Sequence, residues 1–136
     1  MLKSPKIIYV TSVDQERLKR VISSPENSMN TEMLEEELLR ATTVDSKDIP
    51  ADVVTMNSRI LFKDLNTNED LEFTLVYPEQ ANVEQRKISI LAPIGTALLG
   101  LRVGDEIDWP VPSGKTRSLR ILSMIFQPEA SGQFHL

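Results

Sequence analysis

A chain of 136 residues is long enough to bury a core and too short for two large autonomous domains. It has no cysteine and a single histidine, His135, which excludes disulfide frameworks, thiolate metal sites and cysteine nucleophiles and leaves little for a catalytic triad or a zinc centre. A net charge of −5 repels a phosphate backbone, and no basic stripe with interleaved aromatics offsets it, so direct sequence-specific nucleic-acid binding is not expected and a basic protein surface is the better partner. No apolar run approaches the roughly 18 residues of a membrane span. The N-terminus, Met1 to Lys6, has no signal-peptide core and runs straight into a strand-like Ile7 to Val10, so a cytoplasmic location away from membranes is expected.

Ser12, with Gln15 three residues on, makes a capping-box pattern, and Leu18, Val21 and Ile22 follow at helical spacing. This helix ends by Ser24-Pro25. Glu26 to Asn30 is a turn, Thr31 caps the next helix, and Met33, Leu34, Leu38 and Ala41 supply its apolar face. The simplest outcome is a short antiparallel helical hairpin, with arms of about a dozen residues extending roughly 15 to 20 Å. Thr43 to Ala51, with Ser46, Asp48 and Pro50, is a connector to a second module, which divides the chain into residues 1–47 and 48–136.

Strands are predicted at Val53 to Met56, Ser58 to Asp64 and, after a polar turn at Asn66 to Glu69, at Leu71 to Tyr77. A polar loop from Pro78 to Gln85 leads to a strand from Lys87 to Leu91, a helix opened by Pro93 and stopped by Gly100, and strands from Glu106 to Trp109 and Leu119 to Phe126. The fold class is therefore α+β, an antiparallel sheet carrying one helix.

The stretch from Leu91 to Trp109, with its proline-opened helix, Gly104-Asp105 turn and strand, and the Pro112-Ser-Gly114 turn beyond, resembles the C-terminal domain of the Gre transcript-cleavage factors. Four strings sharpen the likeness to one branch. Asp52-Val-Val-Thr-Met-Asn-Ser-Arg59, Thr74-Leu-Val-Tyr-Pro78, Ala97-Leu-Leu-Gly-Leu-Arg-Val-Gly-Asp105 and Phe126-Gln-Pro-Glu-Ala130 look like the regulator of nucleoside diphosphate kinase (Rnk) family. The resemblance implies a coiled-coil hairpin joined to an FKBP-like domain. It also implies binding to core RNA polymerase, with the hairpin in the secondary channel and the sheet domain gripping its rim. By position Pro93 falls on the family proline, and Leu91 and Ala92 sit where a polar residue and serine are usual.

Five glutamates, Glu26, Glu32, Glu35, Glu36 and Glu37, occur between positions 26 and 37 with no lysine or arginine among them. Three readings compete. Acids in a first helical turn face the positive end of the helix dipole and need no partner. Alternatively Glu26, Glu32, Glu35 and Glu36, with Leu91, Ala92 and Pro93, form a partner-binding surface. The third reading is magnesium-assisted RNA cleavage by Glu26 with Glu32 or Glu35, as the Gre resemblance implies. Glu32 and Glu35 keep the Gre acid spacing but lie beyond the turn. The leading expectation is thus a channel-entrance regulator that competes with Gre factors, without catalysis, cofactor or metal of its own. The alternative is a Gre-like cleavage and elongation factor. Prolyl isomerisation, suggested only by fold analogy, would need an apolar pocket drawn from Phe62, Phe73, Tyr77, Trp109, Phe126 and Phe134, several of which alternation assigns to the core.

Overall fold

The computed structural model describes residues 8–25, 31–110 and 116–133. Glu26, the Pro112 to Gly114 turn, Phe134, His135 and the side chain of Trp109 lie outside the described residues. Along the chain come β1 (Tyr9–Thr11), α1 (Ser12–Ser23), α2 (Glu32–Arg40), β2 (Thr42–Val44), β3 (Arg59–Asp64) and β4 (Glu69–Val76). A 3-10 turn at Pro78–Gln80 then precedes β5 (Lys87–Ser89), α3 (Pro93–Leu98), β6 (Glu106–Pro110) and β7 (Thr116–Phe126). The architecture is α+β.

α1 is capped by Thr11 rather than Ser12. The Thr11 Oγ1 accepts the Asp14 N–H at 3.0 Å, and Ser12 is the first helical residue. Pairing of Thr11 with Val44 holds Thr11 in the extended conformation an N-cap requires (φ −70°, ψ 153°), so it takes the role that two adjacent hydroxyls offer equally. Thr31 does stand at the N-cap of α2, but its side chain makes no capping bond; only its carbonyl serves, accepting Glu35 N at 2.9 Å. α2 has 9 residues, shorter than expected, because the chain turns into β2 at Thr42, whose N–H bonds Ile8 O at 2.9 Å. Part of the expected connector is thus a strand, parallel to β1.

The main sheet has the order β5-β4-β3-β7-β6. The β3–β4 hairpin and the β3–β7 and β6–β7 pairs are antiparallel as expected, but β5 lies parallel to β4. Two reversals explain this: the chain turns back after the 3-10 turn, then again between Asn82 and Lys87, where Arg86 takes a left-handed φ of 57°. Val53 to Met56 is not a strand of this sheet. It makes one bridge, Val53 to Arg102, and then turns through Thr55 to Ser58.

α3 packs on the sheet so closely that a Cβ on Gly95 would come within 2.1 Å of Ser89 O. It stops where expected: Gly100 has φ +81°, and the Ile8 side chain sits on its face where a Cβ would be. The core joins both halves of the chain. Leu18 of α1 and Leu34 and Leu38 of α2 belong to one buried cluster with Met56, Phe62, Leu75, Leu99 and Ile121. Phe62 and Phe73 stack at 5.7 Å, and Phe62 is fully buried, so its ring lines no open pocket.

Candidate partner-binding surface

The apolar face of α2 is drawn into the core at Leu34 and Leu38, which leaves Glu32, Glu35 and Glu36 exposed together at spacings of three and four. Glu32 and Glu35 lie in the first turn, where the free N–H groups favour negative charge. Glu37 is different. It is 4% exposed and pairs with Arg40 at 3.3 Å, one turn on, so it does not belong to the solvated acidic face. Leu39, 88% exposed, continues that face, and Met33 stands half exposed nearby. Glu26 lies outside the described residues. Among the described residues no group of three or more acids or histidines is arranged to hold a metal ion.

Leu91, Ala92 and Pro93 form the lead-in to α3. Ser89 pins it, its Oγ accepting Leu91 N and its carbonyl accepting Ala92 N, both at 3.0 Å. Thr96 adds a second tie by donating its hydroxyl to Ile90 O at 2.6 Å. Leu91 and Ala92 are half-buried, and Pro93 is exposed at the first helical position, where its missing N–H costs nothing. α2 and α3 are neighbours, but among the described residues no hydrogen bond or ion pair joins Glu32, Glu35 or Glu36 to Leu91, Ala92 or Pro93.

A buried polar knot, absent from the sequence-based expectations, fastens α1 to the sheet. Asp14 Oδ2 accepts Met56 N at 3.0 Å and Oδ1 accepts the Tyr77 hydroxyl at 3.4 Å. Burial pushes the Asp14 carboxyl up to about 7; Glu129 adds to the rise, and the Met56 N–H, Arg17 and Tyr77 oppose it. Burial also raises the Tyr77 phenol, with Asp14 adding to it and Arg17 opposing. The available signal was Thr11-x-x-Asp14, a capping pattern one residue upstream of the one chosen.

Compared with known proteins, residues 6–44 match the family model described as Rnk N-terminus, and residues 49–125 match that of the transcription elongation factor GreA/GreB C-terminus. The chain is 40% identical over 131 residues to "Regulator of nucleoside diphosphate kinase" of Escherichia coli strain K12, covering 95% of this chain and 96% of that one. The chain belongs to the Rnk family. It is also 40% identical over 106 residues to the transcription elongation factor GreA of Chloroherpeton thalassium, covering 78% of this chain and 66% of that protein. Among solved structures it is similar to "Prokaryotic transcription elongation factor GreA/GreB from Nitrosomonas europaea", with TM-score 0.72, 44% identity, and 88% of this chain and 99% of that one covered.

Two of the Rnk-like strings meet in three dimensions. Gln127 is buried and donates its Nε2 to Pro50 O and Val53 O at 2.8 and 2.7 Å, while its Oε1 accepts Ala130 N at 3.1 Å. Glu129 accepts the Thr55 hydroxyl at 2.7 Å, and Thr55 is tied to Ser58 within its own turn. These residues hold the Rnk turn at 52–59 against the segment after β7 as a brace, and Thr55 and Ser58 are both buried within it.

Proposed function

We propose that this chain is an RNA polymerase-binding transcription regulator of the cytoplasm that sits at the secondary channel entrance and competes there with Gre factors, without catalysis of its own. The carrying observation is that a chain with a GreA/GreB C-terminal match over residues 49–125 precedes it with helices of only 12 and 9 residues. At about 1.5 Å per residue these arms reach roughly 14 to 18 Å. In this reading residues 1–47 are a coiled-coil plug and residues 48–136 an FKBP-like grip, a division of role within a molecule that shares one core. Glu26, Glu32, Glu35 and Glu36 meet a basic channel wall, and Leu91, Ala92 and Pro93 meet the rim, where an exposed proline on a pinned loop offers a rigid contact.

Competition with a Gre factor for core polymerase tests this directly. The chain should displace the Gre factor at low salt and lose that ability as salt rises. Failure to bind core polymerase at any salt would end the reading. The runner-up, a cleavage factor, rests on the exposed Glu32 and Glu35; it requires that adding the chain and magnesium to a backtracked elongation complex accelerate RNA cleavage, whereas the regulator reading expects no acceleration.

A further inference from the structure

The face of the sheet turned away from the core carries a series of cross-strand ion pairs. Register puts Arg59 and Lys63 of β3 on this face, opposite Thr74 and Asp70 of β4 and Phe126 and Arg120 of β7. Arg59 pairs with Glu72, Lys63 with Asp70 at 2.8 Å, and Arg120 with Glu106 at 2.8 Å. At the β5 end the series stops, and a cleft of about 510 Å³ opens. Lys87 reaches into it, and among the described residues its ammonium meets no acid. Asn57, Thr74 and Gln80 also line it, and no protein group among the described residues engages their side chains. Val76, Ile125 and Phe126 form its apolar wall, with Ile125 45% exposed.

We propose that this cleft is a docking site for a partner segment that presents one carboxylate beside an apolar side chain. Lys87 supplies the uncompensated charge; Arg59 is already shared with Glu72, so the cleft holds about one net positive charge, enough for a carboxylate. A nucleoside polyphosphate would bring several negative charges to a chain of net charge −5, with no glycine loop or helix N-terminus among the lining residues to receive them. Three unengaged amide and hydroxyl side chains offer both donors and acceptors, which suits the main chain of an extended segment. A second cleft of about 320 Å³ shares Ile125 and Phe126 and continues past Met124 towards Ala51 and Ala130, room for more than one residue of such a segment. None of the lining residues belongs to the α2 acids or to Leu91, Ala92 and Pro93, so this site stands apart from the polymerase reading.

The test is a titration of the 15N-labelled full chain with an acetylated, amidated Ala-Leu-Asp-Leu-Ala peptide, read by amide chemical shifts. Saturable shifts are expected at Thr74, Val76, Lys87 and Ile125, with a dissociation constant on the order of millimolar. Lys87→Ala should weaken binding about tenfold, and an asparagine in place of the peptide's aspartate should do the same. Ile125→Ser keeps the charge and should weaken binding through the apolar wall alone; Lys87→Gln replaces the alanine variant if the latter does not fold. The proposal is overturned by an absence of saturable shifts, by shifts that are the same in the Lys87 variant, or by inorganic pyrophosphate shifting these amides more strongly than the peptide.

Discussion

Asp14 illustrates how one side chain can fasten an element and make it sensitive to pH. Its carboxyl is buried between α1, the Met56 turn and Tyr77, with Arg17 and Glu129 as the charged groups acting on it. Because the folded value, about 7, lies above the ordinary carboxyl value of 3.8, the folded chain holds a proton between these limits that the unfolded chain has released. Stability from this group is therefore fully present below about pH 4 and falls as pH rises to about 7, at up to about 1.4 kcal/mol per pH unit. Urea denaturation at pH 5 and pH 7.5 should show the wild type losing more stability over this interval than Asp14→Asn; equal losses would mean that Asp14 is ionised throughout. Gly95 offers a second residue-scale prediction. A methyl group there meets the Ser89 carbonyl, which is backbone and cannot swing aside, so Gly95→Ala should cost about 1 to 3 kcal/mol in the same assay and shift the backbone amides of Ser89 to Ala92. The glycine after α3 was readable as a stop signal, but the demand on Gly95 was not, because it comes from a strand residue six positions earlier in the chain.

At the scale of elements, α2 divides its two faces between stability and partner binding. Leu34 is fully buried, and Leu34→Ala should cost about 2 to 5 kcal/mol of folding stability. Glu32→Gln, Glu35→Gln and Glu36→Gln combined remove only exposed charge. They should lower stability by no more than about 1 kcal/mol per residue through the helix dipole, while weakening polymerase binding several-fold at low salt and flattening its salt dependence. Unchanged polymerase binding by the triple variant would assign the acids to the dipole alone. The 3.6-residue pattern made Leu34 and Leu38 legible as core and Glu32, Glu35 and Glu36 as surface. It placed Met33 on the apolar face although Met33 stands 46% exposed, and it did not register the pairing of buried Glu37 with Arg40, because both depend on the elements packed around α2. The same limit applies to Thr42 to Val44: two threonines and a valine form a strand here because β1 lies beside them, and in isolation they resemble the polar connector they adjoin.

Across the whole molecule, both halves of the chain contribute to one hydrophobic cluster, and the Asp14 bonds cross between them. Unfolding should therefore be a single transition, with far-UV circular dichroism, dominated by the helices, coinciding with the fluorescence of Trp109 in β6. Separate midpoints would show that the helices melt independently of the sheet. Length, composition, hydrophobic period and turn residues by themselves determined the α+β class, the β3–β4 hairpin, the start and stop of α3 and the family strings, because each is encoded within a few neighbouring residues. Only the tertiary structure decided that β5 runs parallel to β4, that Asp14 is buried by groups 42 and 63 residues away, and that Lys87 meets no acid among the described residues. The physical reason is that burial and pairing depend on which distant element covers a given face, and a local pattern can state that a face needs covering without stating what covers it.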